Sequence, residues 1–89
     1  MSVHLITYDL NKETTRPRIV DEVKKSSWAK LSESSYAIDS NETSDQVFSR
    51  FKKFIDDNDR LYVIGLHAPW SGFGPKDVNE WLDSQLRRC

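Results

Sequence analysis

A chain of 89 residues, 37% hydrophobic and 30% charged, has the size and composition of one globular domain whose core is small enough for association to add to its stability. Thirteen basic against fourteen acidic side chains leave a net charge of -1, which excludes the strongly basic surface of a tight, nonspecific nucleic-acid binder. Three glycines and three prolines leave no linker, and no repeat or low-complexity tract divides the chain, so residues 1–89 read as a single domain.

The first element is the apolar run Val3-His4-Leu5-Ile6-Thr7-Tyr8-Asp9-Leu10, which delivers an acid, Asp9, just as it ends. Strand side chains alternate, so Val3, Leu5 and Thr7 share one face and His4, Ile6 and Tyr8 the other. Both faces are largely apolar and want cover. In a chain this short helices can cover one of them, and a second copy is expected on the other.

Leu10 to Thr15 is a polar connection whose threonines suit a helix start, and Pro17 is tolerated only near one. The spacing of Ile19, Val20 and Val23 predicts a helix over about Arg16 to Ser26. Lys12, Arg16, Arg18, Lys24, Lys25 and Lys30 outnumber Glu13, Asp21 and Glu22 along this stretch, a small basic patch in a neutral chain. Trp28 to Ser32 and Ser35 to Asp39 read as a hairpin turning at Glu33-Ser34.

Thr43 followed by Gln46 three positions later is a capping-box pattern, and Val47, Phe48, Phe51, Phe54 and Ile55 then form the clearest helical stripe. Asp56-Asp57-Asn58-Asp59 stops that helix. Leu61 to Leu66 is a second run apolar on both faces. Between His67 and Pro75 glycine and proline forbid regular structure, yet Trp70 and Phe73 sit there. Lys76 to Arg88 closes the chain as a helix carrying Val78, Trp81, Leu82 and Leu86.

Strand, helix, strand, strand, helix, strand and a final helix make an α+β fold of the ferredoxin-like, split βαβ type: a four-stranded antiparallel sheet with two helices on one face plus a C-terminal helix. The opposite face is expected to be open. Burying about 600 Å² of apolar area there is worth on the order of 15 kcal/mol before association costs, so a homodimer is expected. The single cysteine, Cys89, has no second thiol to pair with, no charged leader precedes the first strand and no stretch reaches membrane-spanning length. A cytoplasmic protein with no membrane contact is the expectation.

The run Ile6-Thr7-Tyr8-Asp9-Leu10-Asn11-Lys12, Arg16 seven residues after the acid, Ser34-Ser35-Tyr36 at the hairpin, Ile55-Asp56-Asp57-Asn58-Asp59 before the last strand and Trp70-Ser71-Gly72-Phe73 before the closing helix resemble the small CRISPR-adaptation subunit family. They look closest to its SinR-like branch, and VapD-like ribonuclease toxins are similar. The resemblance spans nearly the whole chain. It implies a ferredoxin-like homodimer with either metal-dependent cleavage of RNA or DNA or an architectural, nucleic-acid-binding role. The chain departs from the family where the arginine cluster after the acid is reduced to Arg16 and Arg18, and where a glutamine usual before the hairpin serine is absent.

One aspartate is a poor site for Mg²⁺, which prefers octahedral oxygen coordination, but two Asp9 carboxylates across a dimer axis would suffice for Mg²⁺ or Mn²⁺. Such an ion lowers the pKa of a bound water and neutralises charge on a phosphate. In this reading Tyr8 orients the catalytic site, and Arg16, Arg18 and Lys12 contact the nucleic-acid backbone. The competing reading has Asp9 capping its loop or pairing with Arg16, on a non-enzymatic module that meets a protein partner through Trp70 to Pro75. His4, His67 and Cys89 lack zinc-ligand spacing.

Overall fold

The computed structural model describes residues 2–86. It runs β1 (Ser2–Asp9), one 3₁₀ turn (Glu13–Thr15), α1 (Arg16–Val23), β2 (Ser27–Ser32), β3 (Ser35–Ser40), α2 (Ser44–Lys52), β4 (Arg60–Leu66) and α3 (Lys76–Leu86). Arg87 and Arg88, expected in the last helix, and Cys89 lie outside the described residues. All strands pair antiparallel in the order β2-β3-β1-β4, which is the ferredoxin-like arrangement. The two runs that are apolar on both faces, β1 and β4, lie side by side.

Strand alternation sends Ile6 and Tyr8 of β1, Tyr36 and Ile38 of β3 and Leu61 of β4 to one face. There they meet Ile19 and Val23 of α1 and Val47 and Phe51 of α2, so the stripes read from the sequence converge in one core. α1 ends at Val23, three residues sooner than its periodicity suggests. The amides of Lys25 and Ser26 bond back to Glu22 and Val23 at 3.2 and 3.1 Å, tightening the turn so that β2 can start at Ser27.

The capping box of α2 is formed in both directions: the Gln46 amide donates to Thr43 Oγ1 at 3.2 Å and the Thr43 amide to Gln46 Oε1 at 2.9 Å. Thr43→Ala removes one half of it. A loss of about 1 kcal/mol is expected in urea unfolding, with an unchanged m value.

An ionic link joins the two helices. Glu22, only 5% exposed, accepts from Arg50 Nε at 3.0 Å and Lys25 Nζ at 3.1 Å. Arg50 also donates through Nη1 to Glu42, which is held by the Ser40 hydroxyl at 2.8 Å. Burial alone would raise the Glu22 pKa, but the hydrogen bonds and charges of Lys25 and Arg50 outweigh it and hold the carboxyl below its ordinary value. Glu42 is lowered too, first by the Ser40 hydroxyl and then by Arg50.

The second face corrects the expectation that the sheet is open on that side. α3 lies across its β2-β3 half, burying Leu82 and Leu86 against Val3 and Ala37, with Leu66, Trp70, Val78 and Trp81 around them. The reason is simple: α1 and α2 already fill the first face, so the stripe of α3 finds its only large apolar partner on the second. Trp81 Nε1 donates to Ser27 Oγ at 3.0 Å and Trp70 Nε1 to Asp83 Oδ1 at 3.1 Å. Beyond Val3 and Leu66 the β1-β4 half stays uncovered. Leu5 pairs in register with Ile64 and Thr7 with Tyr62, and Ile64 and Tyr62 are 50% and 61% exposed.

Candidate functional site

Asp9 closes β1 directly opposite Arg60, the first residue of β4. Alternation puts Thr7 and Asp9 on the same face as Tyr62 and Arg60, at the rim of the uncovered apolar patch. Thr7, Tyr8, Asp9, Arg60 and Tyr62 line a shallow cleft of about 180 Å³ there. It brings an exposed carboxylate, a guanidinium and an exposed phenol ring to one place.

The Tyr8 side chain is not on this side. Its ring points into the α1-α2 core, and its hydroxyl donates to the Glu33 carbonyl at 3.1 Å. Burial raises its pKa, against an opposing pull from Arg16. The Arg16 guanidinium lies over the Tyr8 ring, 5.4 Å from its centroid, and also donates to the Glu33 carbonyl. Glu13 grips the same guanidinium at 2.8 and 3.3 Å, and this bidentate bond raises the arginine's pKa and lowers that of Glu13. Arg16 therefore pins the hairpin turn from the helical side, and its partners are Glu13, Tyr8 and Glu33 where the sequence suggested Asp9.

The loop after Asp9 is held by a different acid. Asp59 accepts from the Asn11 amide at 2.7 Å and from the Asp56 amide at 3.0 Å, and these bonds lower its pKa. Lys12 and Arg18 are exposed. The expected set thus splits: Asp9 stands on one face, Tyr8 and Arg16 on the other, and Arg60 takes the place beside the acid. Sequence reasoning missed Arg60, although a signal existed. Asp9 ends one apolar run and Arg60 begins the other, so antiparallel pairing of the two runs sets them opposite each other.

Among the described residues no group of three or more His, Cys, Asp or Glu side chains is placed to hold an ion. One carboxylate beside a guanidinium does not fit Mg²⁺ within a single protomer. The aromatics of the irregular segment differ in fate: Trp70 packs on the cluster of Leu82 and Leu86, whereas Phe73 is 106% exposed. His4 is buried, its Nε2 against the Glu42 carbonyl at 3.0 Å and its Nδ1 against Ser44 Oγ at 3.3 Å, a structural role.

No family model matches the chain. Its fold is similar to the crystal structure of a hypothetical protein, TT1823, from Thermus thermophilus, with a TM-score of 0.68 over 83% of this chain and 92% of that one. At 14% identity the likeness establishes the class, a ferredoxin-like α+β domain, and leaves the chemistry to the site itself. Among the described residues no helix is long and apolar enough to cross a membrane.

Proposed function

We propose that the chain is a homodimeric nucleic-acid-binding protein of the CRISPR-adaptation small-subunit type, acting as an endonuclease that uses Asp9 from each protomer with Mg²⁺ or Mn²⁺. The observation that carries this reading is the uncovered half-face formed by Leu5, Ile64 and Tyr62, with Asp9 and Arg60 on its rim. A two-fold contact through that patch puts the same surface of both copies into one interface, and the two acids with it. A divalent ion held there would activate water and offset phosphate charge. In this reading Arg60 meets a phosphate by its paired donors, joined by Lys12 and Arg18, the exposed cations nearest to Asp9 in sequence. Tyr8 supports the strand end from behind.

Incubating the protein with single-stranded RNA and with duplex DNA, with and without Mg²⁺ or Mn²⁺, tests the reading. Metal-dependent cleavage is expected to fall to the metal-free level in Asp9→Ala, and unchanged cleavage removes the proposed role. Ile64→Asp is expected to convert the dimer into single protomers in sedimentation and to abolish cleavage with it.

A second reading, a non-enzymatic dimeric module that binds a protein partner, is favoured by the charge balance and by the engagement of Arg16 with Glu13 and Glu33. A dimer that neither cleaves nor shifts nucleic acid would select it.

A further inference from the structure

At the far side of the sheet from Asp9, β2 is the outermost strand and is bonded only to β3. Over Ser27 to Lys30, ahead of a register shift between Lys30 and Ser32, alternate backbone N–H and C=O groups of such a strand face outward, a ready template for another extended chain. Beside this edge runs a groove of about 620 Å³. Its strand wall is Trp28, Ala29 and Lys30, and its helix wall is Asp77, Val78 and Trp81 of α3. Trp28 and Lys30 flank the edge on the α1 side while Ala29 faces α3, so the strand lies between two flanking walls. Both indoles are held: Trp81 by its bond to Ser27, and Trp28 against Tyr36 at 6.0 Å with Lys24 Nζ 5.5 Å from its ring centroid.

We infer that this edge accepts an extended peptide as a fifth strand, apolar side chains at alternate positions packing on Val78 and Trp81 and acidic ones facing Lys24 and Lys30. Lys30 Nζ is 3.3 Å from Glu33 at the exposed hairpin turn, a weak contact that a peptide carboxylate can replace. Asp77 and the apolar helix wall disfavour a phosphate backbone. A second copy pairing antiparallel through β2 would carry its own α3 into the same space. The inference rests on none of the Asp9 chemistry.

Fluorescence anisotropy with a short labelled peptide alternating valine and glutamate tests it, beside the same peptide N-methylated at alternate amides and a version with lysine for glutamate. The glutamate peptide is expected to bind and the N-methylated one to fail, because the backbone pairing is gone. Lys30→Glu, at an exposed position and with an unchanged melting curve, is expected to weaken the glutamate peptide about tenfold and to favour the lysine peptide by a similar factor. The inference is overturned by no binding of the glutamate peptide, by undiminished binding of the N-methylated peptide, or by indifference to Lys30→Glu. Displacement of the bound peptide by oligothymidylate would also overturn it, as would peptide-independent self-association lost in Lys30→Glu, which would assign the edge to a second copy.

Discussion

Phe51→Ala is expected to lower the unfolding free energy by about 4 kcal/mol and the melting midpoint by roughly 20 °C. Phe51 is fully buried on α2, in one cluster with Ile6, Tyr8, Ile19, Ile38, Val47 and Leu61. Removing its ring takes apolar area out of contact and leaves a void between helices and sheet that the strand pairing prevents from collapsing. A domain of this length stands only about 5 to 10 kcal/mol above its unfolded state, so the variant is marginal. Phe73→Ala, at a position as exposed as in an isolated chain, is expected to change stability by less than about 0.5 kcal/mol. Urea unfolding followed by circular dichroism separates the two, and equal losses would refute this account of the core.

Arg50→Ala is expected to cost about 3 kcal/mol at neutral pH, because it strips Glu22 of one of its two charged partners while leaving the carboxylate buried. The same substitution frees Glu42 and removes a guanidinium whose carbon is 5.7 Å from the centroid of the Phe51 ring, so the Phe51 and Arg50 effects should not add. The pH dependence has a definite sign. Glu22 and Glu42 have folded pKa values below their ordinary value of 4.5, so their contribution is present above that value and is lost as pH falls through the lowered folded values. Arg50 stays charged throughout, since its bonds to the two glutamates outweigh the effect of its burial. The stability gap between the parent protein and Arg50→Ala should therefore narrow in acid. A gap that stays constant from neutral pH down through the acid range would show that the ionic link contributes nothing through charge.

Most of the fold was legible because its signals are periodic and local. The alternation in Val3 to Tyr8, the stripe from Val47 to Phe51, the hairpin turn at Glu33-Ser34 and the Thr43-Gln46 box each depend on residues a few positions apart, and each is present. Placement of α3 was not legible in this way. An amphipathic stripe states that a helix needs a partner surface but not which one, and here the answer depended on what α1 and α2 had already filled. The candidate site fared similarly. Tyr8 and Asp9 are adjacent in sequence, and for that reason a strand sends them to opposite faces. Arg16 is close to the acid in number but across the sheet in space, while Arg60 is distant in number and its direct neighbour. Register between strands joined by a long connection is fixed by the whole core, and no short motif encodes it.

Within this chain β1 comes before everything it pairs with, yet it is an inner strand whose second flank is completed only by β4. A nascent chain that has not yet supplied Arg60 to Leu66 must present the β4-facing side of β1 as a bare, greasy ribbon, open to pairing with any other such ribbon. Production is therefore most vulnerable to aggregation late in synthesis, in the interval between release of α2 and arrival of the last strand, and amides on that flank should be among the last to gain protection from solvent exchange during refolding.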